Sequence, residues 1–242
     1  MANGEATVQQ LSKMYDVSDM TIRRDLLKME QAGLIKRTYG GAISVGRNIE
    51  TSVETRLSEN LDRKIAIAEL CVKLVRPKDT ILMDAGTTVM EVARRLPEGL
   101  GLTVITNAMT VVNVLIDKPG IELMILGGPF QHTPQVTVGS SVIESIKSLN
   151  VSRAFITATG FSLDFGLTDA NILQSEIKRH MMDRAQIRTL VIDSSKYGVL
   201  SLSRFADLKE FDQIITDDQL DPDVVQQIRS EKTDVLLAHV NN

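Results

Sequence analysis

The stretch Thr80-Ile81-Leu82-Met83-Asp84-Ala85-Gly86-Thr87-Thr88 decides the fold of most of this chain. Ile81-Leu82-Met83 is apolar without alternation, as in a strand of a parallel sheet covered on both faces. The run breaks at Asp84-Ala85-Gly86, and a helix opens from Thr88. Outward from this unit the alternation repeats. Strands are expected at Leu102–Thr106, Ile121–Leu126, Arg153–Ala158, Thr189–Asp193, Gln213–Thr216 and Asp234–Leu237. Helices are expected to Asp117, near Ser141–Leu149 and over Ile172–Arg184, with a short one between the last two strands. Leu123-Met124-Ile125-Leu126 is a second continuous apolar run, expected to be buried on both faces. A helix from Ser58 to about Val75, stopped by Pro77, precedes the first strand. Alternating strands and helices predict an α/β domain with a mostly parallel, doubly wound sheet.

Upstream, residues 6–15 read as a short amphipathic helix with Val8, Leu11 and Met14 on one face. Asp16-Val17 make a tight connection. Ser18 stands at the N-cap position of a second helix that runs to about Gln31, with Asp19 in its first turn. Ile22, Leu26 and Met29 face inward and Gly33 ends the helix. Leu34–Ile43 reads as a hairpin turning at Gly40-Gly41. Two helices, a tight turn and a hairpin are the minimum of a winged helix-turn-helix. The expected division is a head at 1–45, a linker at 46–58 and an α/β domain at 59–242.

The charge supports this division. The whole chain is −4, yet residues 20–40 carry five basic and two acidic residues, leaving +3 there and −7 elsewhere. On the second helix Met20, Thr21, Arg24 and Lys28 face outward, with Thr21 and Arg24 near the end that would meet base edges. Arg23, Lys36, Arg37 and the hairpin tip, Tyr39-Gly40, are placed to contact phosphates. Spacing alone fits a helical protein-interaction module with solvated arginines equally well.

In open α/β sheets ligands bind outside the carboxyl ends of strands. Asp84, Gly86, Thr87 and Thr88 lie there at a helix N-terminus, where free N–H groups and two hydroxyls suit an anion. The same turn also reads as an ordinary cap. Further polar or glycine-rich turns follow other strands: Thr106-Asn107, Leu126-Gly127-Gly128, Thr157–Phe161 with Gly160, and Ser194-Ser195-Lys196. A pocket lined in this way suits a small, polar, anionic ligand. Glu176 and Lys178, two apart, do not share a helix face. The single cysteine, Cys71, excludes an internal disulfide, and His132, His180 and His239 lack metal-ligand spacing. No cofactor is expected. No apolar run reaches membrane-spanning length and no secretory signal stands at the N-terminus, which points to the cytoplasm.

Val17-Ser18-Asp19-Met20-Thr21-Ile22-Arg23-Arg24-Asp25-Leu26, followed by Gly33-Leu34-Ile35-Lys36-Arg37 and Gly40-Gly41-Ala42, strongly resembles the DeoR-family signature. That signature reads V-S-x-x-T-I-R-R-D-L, then a glycine, an apolar pair, an arginine and G-G-A. The resemblance implies a transcriptional repressor whose second helix reads double-stranded operator DNA as part of a homo-oligomer, a dimer or tetramer. Over about Thr51–Leu237 the chain resembles the family's sensor domain through D-x-G-T-T, T-N, L-G-G, Val138-Gly139, E-x-K and S-S-K. This implies a fold related to sugar-phosphate isomerases and a phosphorylated-sugar effector. Its phosphate is then expected on Gly86–Thr88. Asp84, Asn107, Glu176, Lys178 and Lys196 become candidates for the sugar end or for holding loops. Thr157 stands where the family usually has glycine, a change expected to narrow or retune the pocket. Members usually begin with a further helix, and only Met1–Glu5 precede this one. Either the start is truncated or the head lacks a supporting helix, and a locally less stable head is expected. The rival reading is a sugar-phosphate isomerase, which would need Asp84 and Glu176 as its proton-moving carboxylates.

Overall fold

The computed structural model describes residues 5–31, 35–38, 40–44, 53–231 and 233–240, in which the head starts with a strand the sequence does not announce. β1 (Glu5–Thr7) pairs antiparallel with β3 (Gly41–Ser44), which pairs in turn with β2 (Ile35–Thr38). Thr7 caps α1 (Val8–Tyr15): its hydroxyl accepts from the Gln10 N–H while the Gln10 side chain accepts from its own, a reciprocal capping box. That box explains why the helix starts at 8 rather than 6. α2 (Asp19–Gln31) is capped by Ser18, whose Oγ accepts from the Thr21 N–H at 3.2 Å. Thr38 faces Gly41 across the hairpin, so Gly41 belongs to β3 rather than to the turn, and Gly40 has φ +117°. Gly33, the expected helix stop, lies outside the described residues.

The head's core is small: Val8, Ile22, Leu26 and Ala42, with Leu11 against them. Met14 and Met29 were expected inside but are exposed, at 58% and 40%. Both lie toward the C-terminal ends of their helices, beyond the reach of a four-residue core.

Division of the chain falls between Arg56 and Leu57. The segment expected as linker contains a helix, α3 (Val53–Ser58), and only then α4 (Leu61–Val72). Next come β4 (Thr80–Met83), α5 (Thr87–Arg95), β5 (Leu102–Thr106), α6 (Met109–Leu115) and β6 (Ile121–Ile125). A hairpin of β7 (Phe130–Gln131) and β8 (Val136–Thr137) leads to α7 (Ser140–Lys147) and β9 (Val151–Ile156). The remainder is β10 (Gly160–Ser162), β11 (Gly166–Asp169), α8 (Ile172–Arg184), β12 (Ala185–Val191), β13 (Ser203–Ala206), β14 (Gln213–Asp217), α9 (Pro222–Ser230) and β15 (Asp234–Ala238).

The main sheet has seven strands in the order β15-β14-β12-β9-β4-β5-β6, every pairing parallel. All carboxyl ends therefore lie along one edge. From β4 the chain winds outward through β5 to β6; from β9 it winds the other way through β12 and β14 to β15. The strand order thus reverses between β4 and β9, the crevice where open α/β sheets take ligands. Between the strands, α5 packs against α6, and α7 packs against α8. β4 and β9 are buried almost throughout. β6 departs from expectation: it is an edge strand, with Met124 and Ile125 about half exposed. β10, β11 and β13 form a small antiparallel sheet of their own. Among the described residues no helix is long and apolar enough to cross a membrane.

Candidate functional site

On the head, α2 turns Ile22 and Leu26 into the core and leaves Met20, Arg23, Arg24 and Lys28 exposed. Among the described residues Met20 is the most exposed of the large apolar side chains, at 75%. Thr21 is half-buried, and its hydroxyl lies 2.9 Å from that of Ser18. Its side chain is therefore engaged in the cap as well as lying on the outer helix. Arg37 is held back by Glu30, through an ion pair at 3.8 Å and a bond from its own N–H to Glu30 Oε1 at 2.9 Å. Lys36 lies in β2, Gly40 is exposed at the turn, and Tyr39 lies outside the described residues.

In the larger unit the chemistry converges on the strand-order reversal. Asp84 is fully buried at the end of β4. Its Oδ2 accepts from Lys178 Nζ and, at 3.1 Å, from the N–H of Thr157 at the end of β9. Lys178 also donates to the Thr157 carbonyl at 2.9 Å and pairs with Asp169 at 3.3 Å. Burial opposes the ammonium of Lys178, but Asp84 and Asp169 outweigh it and hold its pKa above the ordinary lysine value. Burial dominates at Asp84 and pushes its pKa up, with Asp169 adding to the push and Lys178 resisting it. The cluster thus keeps a charged lysine between two carboxylates.

Next to it, the N-terminus of α5 is open. The first helical bond runs from Met90 N–H to Gly86 O, and no side chain caps the end. The N–H groups of Thr87 and Thr88 are among those that an α-helix leaves without an intrahelical partner, and both residues also carry hydroxyls. Gly86 has φ 171°, an extended value any residue adopts, so backbone freedom is not why glycine stands there. The reason is steric. A Cβ at Gly86 would lie 2.4 Å from Cγ2 of Thr157.

The other turns differ in what they offer. Asn107 is fully buried, donates Nδ2 to the Thr137 carbonyl at 2.9 Å and leaves Oδ1 bare. Asp84 Oδ1 is bare and buried likewise. Thr106 spends its hydroxyl on the fold, donating to Met83 O at 2.7 Å and accepting from the Ala108 N–H at 3.1 Å. Gly127 is exposed and its carbonyl accepts from Ser141. Gly128 packs against Val138 O, where a Cβ would come within 2.6 Å. Gly160 is a packing glycine too, with Val199 O only 2.2 Å from a Cβ position. Glu176 lies exposed on the opposite side of α8 from buried Lys178. The structure brings Asp84 to Lys178 and not to Glu176.

Several residues at this edge escape the sequence reading. Lys196 is half-exposed on a short 3-10 turn, Ser194–Lys196, that is tied down on all sides. Asp217 accepts from the Ser194 N–H and hydroxyl, both at 2.7 Å. Asp193 takes the Ser195 N–H at 3.2 Å. Arg63 reaches Ser194 Oγ at 2.9 Å and Asn60 reaches Ser195 Oγ at 3.0 Å. Asp193, one residue before the S-S-K turn, carried a local signal as its cap; Asn60 and Arg63 lie more than 130 positions away and carried none. Cys71 is buried, and burial pushes its thiol pKa far up, which makes it an inert core residue. Among the described residues no group of His, Cys, Asp and Glu is arranged to hold a metal.

Comparison with known proteins agrees with both halves. A family model described as the DeoR-like helix-turn-helix domain matches residues 2–48, and one described as the DeoR C terminal sensor domain matches residues 59–218. The HTH-type transcriptional repressor GlcR of Bacillus subtilis (strain 168) is 38% identical over 213 residues, 87% of this chain and 81% of that protein. The lactose phosphotransferase system repressor of Lactococcus lactis subsp. lactis is 32% identical over 240 residues, 98% of this chain and 93% of that one. Among solved structures, ribose 5-phosphate isomerase A from Methanocaldococcus jannaschii overlaps 57% of this chain and 55% of its own, with 18% identity and a TM-score of 0.42. The chain belongs to the DeoR family of transcriptional regulators, and it is a regulator rather than an enzyme.

Proposed function

We propose that this chain represses carbohydrate-metabolism genes by binding operator DNA through its head, and that a phosphorylated sugar at the β4–β9 crevice controls that binding. One observation carries the reading. The open N-terminus of α5 offers N–H and hydroxyl donors to a phosphate, and Asp84 Oδ1 and Asn107 Oδ1, both buried and bare, offer acceptors to hydroxyls. Donors at one end and acceptors at the other suit a ligand that is anionic at one end and hydroxylated at the other. The names of the relatives, the lactose phosphotransferase system repressor among them, support the same reading. Lys196 adds positive charge, and Asp84, Lys178 and Asp169 hold the turn that carries Thr157 in place.

On the DNA, Arg24 reads a base edge, Met20 and Thr21 lie against the groove, and Ser18 orients the helix N-terminus. Arg23, Lys28, Lys36, Arg37, Tyr39 and Gly40 are the residues assigned to contacts with the sugar-phosphate backbone. One short helix reads few bases, so the repressor works in the cytoplasm as a homo-oligomer on paired half-sites. The effector acts by binding the DNA-competent and incompetent arrangements with different affinity, and DNA in turn alters effector affinity by the same factor.

The test is fluorescence anisotropy with DNA duplexes tiled across the promoter of the chain's own gene, at several salt concentrations. Arg24→Ala is expected to weaken the specific duplex about 10- to 100-fold and to flatten the preference for it over random DNA. A panel of sugar phosphates is then titrated into the complex. One member is expected to shift the DNA curve while its unphosphorylated parent does not. Unchanged preference in Arg24→Ala removes that residue from base reading. Equal responses to sugar and sugar phosphate overturn the effector assignment.

A further inference from the structure

Gln174 is a buried amide without a partner. It is only 2% exposed, and neither Oε1 nor Nε2 has a hydrogen-bond partner among the described residues. Buried side-chain amides in folded proteins are satisfied by protein or by a bound molecule, since leaving both ends bare costs the full desolvation of the group. Gln174 lies four residues before Lys178 on α8, so both belong to the same buried face, one turn apart. Lys178 reaches Asp84 and the carbonyl of Thr157 at the crevice.

The other flank of the crevice approaches the same turn of α8. Hairpin β7–β8 is fastened to Asn107 through Thr137, whose N–H donates to the Asn107 carbonyl at 2.9 Å. Its other strand is fastened to the start of α8, where Asn171 Nδ2 donates to Gln131 Oε1 at 2.9 Å. Asn171 is the cap of α8 and its Oδ1 also accepts from the Gln174 N–H at 3.4 Å. The turn bearing Gln174 is thereby held between the Asn107 wall and the Lys178 cluster. Those two walls carry the bare acceptors Asn107 Oδ1 and Asp84 Oδ1.

We infer that Gln174 is a specificity-determining residue, whose amide hydrogen-bonds a hydroxyl of the effector at the end away from its phosphate. The inference rests on the reading above, that a phosphorylated sugar occupies this crevice. A carboxylate and a carbonyl-type oxygen only accept here, so they ask for donors. Gln174 alone among the three both donates and accepts, which is what a hydroxyl does. It therefore selects a polyol at this position over a deoxy analogue, which would leave the amide buried and unpaired. Discrimination of that kind is the steep kind.

The experiment is calorimetric titration of the full chain and of Gln174→Leu and Gln174→Met with inorganic phosphate and with a panel of pentose and hexose phosphates. Melting temperatures of the three proteins are recorded alongside. Two apolar replacements of different shape are used so that one folded variant suffices. Inorganic phosphate is expected to bind all three alike, because its donors are on α5. The tightest sugar phosphate is expected to lose about 10- to 100-fold in the variants, and its deoxy analogues to lose much less. A variant that binds every sugar phosphate as the wild type does, with only its melting temperature changed, makes the Gln174 partner a structural water and overturns the inference. If the wild type binds none of the panel, the effector reading itself fails, which is a different result from a wild type that binds and variants that match it.

Discussion

Replacing Gly86 by alanine tests whether the corner of the crevice is built by one side-chain contact. The added Cβ would lie 2.4 Å from Thr157 Cγ2, against the roughly 3.5–4.0 Å of an ordinary carbon contact. Something must move by about 1 Å on that comparison. The backbone of Thr157 resists, since its N–H is held by Asp84 at 3.1 Å and its carbonyl by Lys178 at 2.9 Å. Thr157 must then leave its rotamer or drag the Lys178 cluster with it, an overpacking cost of about 1–3 kcal/mol. In a domain of this size each kcal/mol lowers the melting temperature by roughly 2–4 °C. Thr157→Ser removes the offending methyl, and the next atom, Thr157 Cβ, is 3.6 Å away, an ordinary contact. The double variant Gly86→Ala/Thr157→Ser is therefore expected to regain most of the loss. Because φ at Gly86 is 171°, alanine carries no backbone penalty that would mask the recovery. Thermal unfolding of all four proteins closes the double-mutant cycle. An unchanged melting temperature in Gly86→Ala, or losses that simply add in the double variant, would refute the steric account of this glycine.

Two other outcomes are expected. Ser18→Ala removes the acceptor of the Thr21 N–H, and a lost cap of this kind costs about 0.5–2 kcal/mol. Amide exchange in the full chain should speed up across the first turns of α2 while the central strands β4 and β9 stay protected, and equal protection in both proteins would dismiss the cap. Lys178→Met leaves Asp84 and Asp169 buried without their cation, a change that costs about 3–5 kcal/mol at neutral pH. The sign of its pH response follows from burial. Asp84 is already held above the ordinary carboxylate value, and without Lys178 only the Thr157 N–H still opposes the push. A raised carboxylate favours the folded state at low pH, and that contribution is lost as pH rises through its folded pKa. Melting temperature of the variant should therefore rise from about pH 8 to pH 5, toward the usual carboxylate range. In the wild type Lys178, itself raised, gives its contribution below about pH 10.5 and loses it only above. A variant whose stability is flat from pH 8 to 5 would show that Asp84 is not the group in question.

Much of the architecture is legible from local pattern. Ile81-Leu82-Met83 followed by Asp84-Ala85-Gly86 announces a buried strand turning into a helix, and β4, β5 and α8 lie where the apolar runs and periodicity place them. Such patterns report only on neighbours in the chain. The short strands of the small sheet, β10, β11 and β13, have too few residues for a period to show, and the sequence reading passes over them. Met29 continues the inward spacing of Ile22 and Leu26, yet the head's core ends before it. Leu123–Leu126 reads as doubly covered, yet β6 stands at the edge of the sheet, and strand order is a property no single strand carries.

The candidate site divides along the same line. Asp84, Gly86, Thr87, Thr88, Asn107 and Lys196 are picked out by composition at strand ends, because parallel strands must deliver their carboxyl ends to one edge, while Lys178, inside a helix, is picked out only through the family resemblance. What each one does there is set by partners far away in the chain. Thr106 turns its hydroxyl inward to Met83, Gly160 makes room for Val199, and Glu176 faces away. Thr157 meets Gly86 across 71 positions, and Asn60 meets Ser195 across 135. The sequence by itself determined the winged head, the parallel α/β body and the edge where a ligand would sit, since all three follow from periodicity and turn chemistry along the chain. Only the tertiary structure decided which polar groups are spent holding that edge together and which, like Asp84 Oδ1, Asn107 Oδ1 and Gln174, are left bare. Hydrogen bonding saturates by contact in space, and contact between distant segments is what folding adds.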